Sequence, residues 1–132
     1  MAKILLIEDD ESIRTLLRKV LGDFGHAVTE AVNGRAGLKL CAGADLVILD
    51  IMMPEQDGIE VLMELRRRHA VTKVIAISGN VGLGAGDNLH TARLLGAAKT
   101  LQKPFTIHDF MAAVNGLLPA ADEMLPSSPD AN

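Results

Sequence analysis

Four short apolar runs of the sequence each end in ionisable or hydroxyl side chains. Glu8 and Asp9 follow the first run, and Asp50, Ser78 and Lys103 follow the other three in turn. Carboxylates that crowd together repel one another and raise each other's pKa unless a cation neutralises them. Oxygen ligands without His or Cys suit a hard cation, and Mg²⁺ commonly shares its coordination shell with a substrate phosphate. The pattern therefore predicts Mg²⁺-dependent phosphoryl chemistry.

Asp50 is the side chain best suited to carry that chemistry, because a carboxylate beside Mg²⁺ can act as a nucleophile and form an aspartyl phosphate. A lysine and a hydroxyl then neutralise and hydrogen-bond the transferred oxygens. Lys103 and Ser78 would fill those roles. Two simpler interpretations stay open: a structural salt bridge between Asp50 and Lys103, and turn chemistry at Ser78.

The acidic run at residues 8–11 also has a simpler explanation. Asp10, Glu11 and Ser12 precede an amphipathic pattern, where acidic and hydroxyl residues cap a helix and offset its dipole. We assign no chemistry to Asp10 or Glu11. The same cap would account for Glu8 and Asp9 taken alone. The joint occurrence of functional groups at several strand ends is what favours a shared site.

The apolar runs themselves predict the strands that position these groups. They do not alternate with polar residues, which is typical of strands buried on both faces of a parallel sheet. The predicted strands are residues 4–7, 27–30, 46–49, 74–77 and 100–101. Apolar residues at steps of three and four predict the intervening helices. These cover residues 13–21, 35–42, 58–65, 88–95 and 107–117.

Strand and helix thus alternate five times, which predicts a doubly wound α/β fold with a five-stranded parallel sheet and helices on both faces. In such sheets ligands bind outside the carboxyl ends of the strands, so the functional side chains should converge there. We expect the glycine-rich stretch at residues 79–86 to be the most mobile ordered part.

Composition limits the remaining possibilities. The 132 residues suit one domain, at residues 1–118, followed at 119–132 by a disordered tail or the start of a linker. A net charge of −4 gives no general attraction to nucleic acid or acidic membranes. Cys41 is the only cysteine, which excludes an intrachain disulfide, and the first residues lack a signal peptide or membrane span. A cytoplasmic location is expected.

Taken together, these residues resemble the response-regulator receiver family of bacterial two-component signalling. The matching segments are KILLIEDDESIR, DLVILDIMMPEQDG, KVIAISGN, LLGA and LQKPF, within residues 3–118. The resemblance implies a flavodoxin-like three-layer sandwich with strand order 2-1-3-4-5. It also implies that Asp50 accepts a phosphoryl group from a histidine kinase or histidine phosphotransfer protein. The chain would be a signalling switch for a downstream effector protein, a monomer or weak dimer, and not an enzyme with an external substrate.

The resemblance also implies roles for individual residues. Mg²⁺ would be held by Asp9, Asp50 and the carbonyl of Met52, with Glu8 acting mainly through water. Ser78 and Lys103 would grip the phosphoryl group. The switch region would comprise Gly79, Asn80, Thr100 and Pro104.

The resemblance implies three further details. Lys103–Pro104 is a junction that is typically cis in this family, and proline makes that form accessible. Many receivers carry an aromatic residue where Thr100 stands, so signal output here would use a different rearrangement. Met52 and Asn80 should border the path of hydrolytic water, and because Met52 is apolar we expect slow self-dephosphorylation.

Three other functions share parts of this pattern. A haloacid dehalogenase-type phosphohydrolase would need a second Asp where Met52 stands, and a flavodoxin would need a Ser/Thr-rich phosphate loop after Ile7. A degenerate receiver, acting as a phosphorylation-independent binding module, is supported only by Thr100. The fourteen residues after Leu118 are too few for a DNA-binding unit, so we expect action through protein contacts, alone or within a longer protein.

Overall fold

Within the part of the chain that the structure describes, five long strands and five helices alternate, and a short two-stranded ribbon follows the third strand. A computed structural model of the chain describes residues 2–53, 56–79 and 85–118. The strands are β1 (Lys3–Ile7), β2 (Ala27–Ala31), β3 (Leu46–Asp50), β4 (Met52–Met53), β5 (Gln56–Asp57), β6 (Lys73–Ser78) and β7 (Lys99–Gln102). The helices are α1 (Glu11–Asp23), α2 (Gly34–Leu40), α3 (Gly58–Arg68), α4 (Ala85–Leu94) and α5 (Ile107–Leu117).

The long strands form one parallel sheet in the order β2-β1-β3-β6-β7. Counted among the long strands alone, this is the order 2-1-3-4-5, which confirms the predicted fold. The central strand β3 is buried along its whole length, as expected for a strand covered on both faces. β3 lies between β1 and β6, so the carboxyl ends of three strands adjoin one another.

Two apolar layers cover the sheet, because successive residues of a strand point to opposite faces. In β1, Leu5 and Ile7 pack into the layer that contains α2, α3 and α4. Ile4 and Leu6 pack into the other layer, with α1 and with Phe110 of α5. Burying one such side chain contributes roughly 1.5–3 kcal/mol. The predicted three-layer sandwich is therefore confirmed.

The structure departs from the predicted elements at several boundaries. α4 begins at Ala85, three residues before the predicted start, and β6 extends through Ser78. The antiparallel ribbon β4–β5 was not predicted, since two-residue strands leave no periodicity to detect. Asn80 and the predicted tail at residues 119–132 lie outside the described residues, as does most of the glycine-rich stretch.

Within the described ranges, no helix combines the length and apolar character needed to cross a bilayer. Cys41 is buried, and its thiol contacts the Leu38 carbonyl oxygen.

Gly58, the first residue of α3, permits a close approach that a side chain would block. A Cβ at this position would lie 2.2 Å from the Ile51 Cα, a backbone atom that cannot rotate away. We expect Gly58→Ala to lower the free energy of unfolding by about 2 kcal/mol. The matched control is Gly22→Ala in α1, where nothing lies within 4 Å of the added atom and a gain of about 0.5–1 kcal/mol is expected. Urea unfolding followed by circular dichroism measures both, and equal effects would contradict the packing argument.

Candidate functional site

The carboxyl edge of the sheet brings together the charged side chains that the sequence placed at strand ends. Glu8 follows β1, Asp50 ends β3, and Lys103 follows β7. The Lys103 Nζ lies 3.0 Å from Glu8 Oε1 and 3.3 Å from Asp50 Oδ2. Glu8 and Asp50 are buried, with 1% and 3% of their surface exposed. One ammonium group therefore bridges two buried carboxylates that come from different strands.

Glu8 is held from several sides. Its Oε2 accepts a hydrogen bond from the Asp10 amide at 3.1 Å, and its own amide donates to the Ala31 carbonyl oxygen of β2. Its Oε1 lies 3.0 Å from the Lys103 ammonium, its charged partner among the described residues. Burial, and then the neighbouring Asp50, raise the pKa of Glu8 to about 8, while Lys103 partly opposes this shift.

Burial and the neighbouring carboxylates shift the pKa of Lys103 in opposite directions. Burial alone lowers the pKa of an ammonium group, but the charge of Asp50 and the contact with Glu8 outweigh burial, so the pKa of Lys103 is raised. Its side chain keeps 19% of its surface exposed. Lys103 is therefore a cation at neutral pH, positioned on the solvent side of two carboxylates.

The acidic side chains also have the arrangement of a cation site. Glu8, Asp9 and Asp50 each offer a carboxylate oxygen, and these oxygens lie within 4.8 Å of one another. Asp9 is exposed, whereas the other two are buried. The donor set contains only oxygen, and among the described residues a single ammonium group, that of Lys103, lies against the two buried carboxylates. Both properties fit a hard divalent cation such as Mg²⁺.

Met52 lies at the side of Asp50 away from the lysine contact. Its backbone amide donates to Asp50 Oδ1 at 2.9 Å, so the two oxygens of this carboxylate have different partners. Met52 as a whole residue is 37% exposed, and its thioether sulfur contacts the side-chain amide of Asn88 in α4 at 2.9 Å. Met52 therefore links the Asp50 carboxylate to α4.

Ser78 is brought to the same edge, where its described hydrogen bonds are with backbone groups. It ends β6, the strand beside β3, and is fully buried. Its hydroxyl donates to the Gly79 carbonyl oxygen at 3.3 Å. Its own carbonyl accepts the Lys103 amide at 2.8 Å. Ser78 thus positions the backbone of Lys103, and its hydroxyl is engaged by the adjacent peptide.

Three residues of the predicted switch region, Gly79, Thr100 and Pro104, are among the described residues. Gly79 follows β6 directly, and the Lys103–Pro104 peptide bond is cis, as expected. Thr100 is half-buried on β7 and accepts a hydrogen bond at 2.9 Å from Arg93 of α4. The position that holds an aromatic ring in many receivers is here a hydrogen-bonded contact between α4 and β7.

Asp10 has the role that the simpler interpretation assigned to it. Its carboxylate accepts the Ile13 amide at 3.1 Å and caps α1. Two contacts were missed by sequence reasoning: Arg14 donates to the Glu8 carbonyl oxygen, and Asn88 contacts Met52. Neither has a local signal, since each joins elements whose spacing depends on how strands and helices pack.

The pKa of Glu8 makes stability depend on pH in the protein without metal. Folding raises this pKa from 4.5 to about 8. The contribution of protonated Glu8 to the free energy of unfolding is therefore complete below pH 4.5 and is lost as pH rises through about 8. We expect Glu8→Gln to unfold at higher urea than wild type at pH 9 in EDTA, by about 2 kcal/mol, with the difference vanishing towards pH 5. Added Mg²⁺ should stabilise wild type more than the variant. Glu11→Gln, at an exposed residue, is the control, and a pH-independent difference for Glu8→Gln would contradict the argument.

Comparison with known proteins places the chain in one family. The family model for the response regulator receiver domain matches residues 4–115. Sporulation initiation phosphotransferase F of Bacillus subtilis is 34% identical over 119 residues, which cover 89% of this chain and 94% of that protein. Transcriptional regulatory protein CpxR of Klebsiella pneumoniae is 36% identical over 119 residues, but these cover 50% of its length. The chain spans about half the length of several of its curated relatives.

Solved structures agree with that assignment. A response regulator receiver domain protein of Clostridium thermocellum superposes with a TM-score of 0.82 at 30% identity, covering 95% of this chain and all of that one. TrrA of Thermotoga maritima, solved with Mg²⁺ and BeF, gives a TM-score of 0.77 at 32% identity, covering 89% of this chain and all of TrrA. By sequence and by fold, this chain belongs to the response regulator receiver domain family.

Proposed function

We propose that Asp50 accepts a phosphoryl group from a histidine kinase or a histidine phosphotransfer protein, in a Mg²⁺-dependent reaction. Phosphorylation then changes the contacts of this domain with a downstream effector protein. The observation that carries the proposal is the bridging of buried Asp50 and Glu8 by Lys103, beside a cluster of three carboxylates. A purely structural salt bridge would need one carboxylate, not this surplus of negative charge.

Asp50 is the acceptor in this scheme. One of its carboxylate oxygens forms the new bond to phosphorus while the bond from phosphorus to the donor's histidine nitrogen breaks, and the nitrogen keeps the electron pair. The Met52 amide and Lys103 hold the carboxylate in one orientation. Lys103 then neutralises charge on the transferred oxygens, and Ser78 contributes its hydroxyl after leaving the Gly79 carbonyl oxygen.

Asp9, Asp50 and the carbonyl of Met52 would hold Mg²⁺, with Glu8 acting through water. The ion would neutralise negative charge on the phosphoryl oxygens. TrrA, which was solved with Mg²⁺ and BeF, supports this assignment by its similarity. Because Asp9 is exposed while Asp50 and Glu8 are buried, the cation would lie at the solvent side of the pocket, open to the donor.

Signal output would pass through the elements that contact the acceptor. Phosphorylation adds negative charge and three acceptor oxygens. These would attract the side chains of Ser78 and Lys103 at the ends of β6 and β7. The Met52–Asn88 and Arg93–Thr100 contacts join the same region to α4. We infer that α4 and β7 form the surface that changes, without rotation of an aromatic ring at residue 100.

Incubation with Mg²⁺ and acetyl phosphate, followed by intact-mass measurement, tests the proposal. We expect one added phosphoryl group in Mg²⁺ and none in EDTA. Mass is the suitable readout because the chain has no Trp or Tyr. If no adduct forms with either acetyl phosphate or a phosphorylated histidine phosphotransfer protein, although Mg²⁺ binds, the domain acts as a phosphorylation-independent binding module instead.

The lifetime of the adduct should depend on Met52. Met52 is partly exposed, and its thioether offers no strong hydrogen-bonding group to orient an attacking water. We expect Met52→Asn to accelerate loss of the phosphoryl group by about tenfold, or about 1.4 kcal/mol of activation free energy. Decay is followed by intact mass after the donor is removed, with Met63→Asn, at an exposed residue of α3, as the control. An unchanged decay rate in Met52→Asn would refute the role of this side chain.

A further inference from the structure

Arg14 of α1 is the side chain that joins the acidic pocket to the outer part of the sheet. Its Nη1 donates to the Glu8 carbonyl oxygen at 2.9 Å, and its Nε lies 3.1 Å from Glu30 Oε1 of β2. Only 14% of the side chain is exposed. The planar guanidinium therefore makes two directed contacts at once, one with the backbone just after β1 and one with a side chain near the end of β2.

The carbonyl that Arg14 holds belongs to the peptide bond between Glu8 and Asp9. Since a peptide group is planar, fixing its oxygen also fixes the direction of the bond that enters Asp9. The amide on the other side of Glu8 is fixed by the Ala31 carbonyl oxygen. Glu8 is thus held at both of its peptides, and Asp9, which is exposed, takes its orientation from a backbone that Arg14 constrains.

Arg18 provides an internal comparison one helical turn away. It pairs with the same carboxylate, with its Nε 3.0 Å from Glu30 Oε2, but 47% of its side chain is exposed. Among the described residues its ion pair is with Glu30, whereas Arg14 also reaches the backbone carbonyl of Glu8. The two arginines therefore share a charge, a helix and a partner, and differ in the hydrogen bond to Glu8.

We propose that Arg14 is a positioning residue of the cation site, which orders the Glu8–Asp9 peptide so that both carboxylates face the ion. This rests on the proposed Mg²⁺ site and adds a residue to it. Glu30 anchors the guanidinium, so the geometry of the pocket depends in part on the end of β2. Residues that orient metal ligands typically change metal affinity by 10–100-fold when removed.

The direction in which Mg²⁺ affinity changes when Arg14 is removed distinguishes a positioning role from a purely electrostatic one. A guanidinium near the pocket repels a divalent cation, so if Arg14 acted by charge alone its removal would strengthen Mg²⁺ binding. If it acts by ordering the peptide, its removal weakens binding despite the lost repulsion. Arg14→Lys keeps the charge but replaces the planar group with a single ammonium that cannot reproduce both contacts.

Calorimetric titration of the full chain with MgCl₂ tests this, at a pH and ionic strength where circular dichroism shows each variant folded. We expect the dissociation constant to rise about tenfold in Arg14→Ala, to rise less but clearly in Arg14→Lys, and to stay within about twofold in Arg18→Ala. In the metal-free protein, the ¹⁵N shift of the Asp9 amide should move in both Arg14 variants and not in Arg18→Ala.

Unchanged or tighter Mg²⁺ binding in Arg14→Ala would overturn the inference, as would equal weakening in Arg18→Ala. If Arg14→Ala does not fold, Arg14→Lys decides by the same criteria. If the wild-type chain binds no Mg²⁺ at all, the proposed cation site fails first. Wild-type binding with no difference between the two arginines would leave that site standing and remove only the role of Arg14.

Discussion

Asp50→Asn is expected to abolish the phosphoryl adduct while leaving the fold intact. The amide has nearly the same shape as the carboxylate, and its oxygen can still accept the Met52 amide hydrogen bond seen at 2.9 Å. What it lacks is the anionic nucleophile that forms the bond to phosphorus. The variant also removes one of the two buried charges that Lys103 bridges, so that Lys103 retains Glu8 as its partner.

The measurement is intact mass after incubation with Mg²⁺ and acetyl phosphate, with unfolding in urea as the check on folding. Asp45→Asn is the matched control. Asp45 is exposed, precedes β3, and accepts the Lys3 amide at 2.8 Å. Asp45→Asn makes the same chemical change outside the pocket. The variant protein should therefore gain a phosphoryl group as wild type does. An adduct that persists in Asp50→Asn, mapped by peptide mass to Glu8 or Asp9, would assign the acceptor to another carboxylate.

Lys103→Met is expected to affect both stability and phosphoryl transfer. Lys103 is the cation found in contact with both buried carboxylates among the described residues. Removing one partner of a buried ion pair typically lowers stability by about 3 kcal/mol, because the remaining charges lose compensation. The rate of phosphoryl transfer from acetyl phosphate should fall by about a hundredfold, since charge on the transferred oxygens is no longer neutralised.

The pH dependence of this loss has a definite sign. The pKa of Lys103 is raised in the folded protein, so its contribution is complete below the normal lysine pKa and is lost only as pH rises above that value. Lys103 also opposes the rise in the pKa of Glu8, so without it Glu8 should retain its proton to higher pH. Stability lost in Lys103→Met should therefore be larger at pH 8 than at pH 5.

Urea unfolding in EDTA at the two pH values measures the stability effect. Lys99→Met is the control, because Lys99 is exposed and begins the same strand, β7. A change within about 0.5 kcal/mol is expected there. If Lys103→Met unfolds at the same urea concentration as wild type at pH 8, the bridged carboxylates do not depend on this cation.

Sequence patterns determined the architecture because they are local and repeated. Apolar runs without alternation identified the strands of a buried parallel sheet, and steps of three and four identified the helices. From the order of these elements came the prediction that Asp50, Glu8 and Lys103 would converge, and the distances confirm it. The capping role of Asp10 was also predictable from the local sequence, and its carboxylate caps α1.

The tertiary structure decided which partner each of those groups has. Ser78 reaches the expected edge, yet its hydroxyl contacts the Gly79 carbonyl oxygen. Arg14, which bonds to the Glu8 carbonyl oxygen, also meets Glu30 because β1 and β2 are paired in a register that sets Leu6 opposite Glu30. Thr100 bonds to Arg93 only because α4 lies against β7.

The physical reason is that periodicity reports the face on which a residue lies, within one helix or strand. A hydrogen bond between elements depends instead on their register, spacing and relative rotation, to within about an ångström. The pKa of Glu8 shows the same division: the sequence identified a carboxylate at the end of a strand, but its rise to about 8 comes from burial and from the nearby Asp50. Those are properties that only the packed chain has.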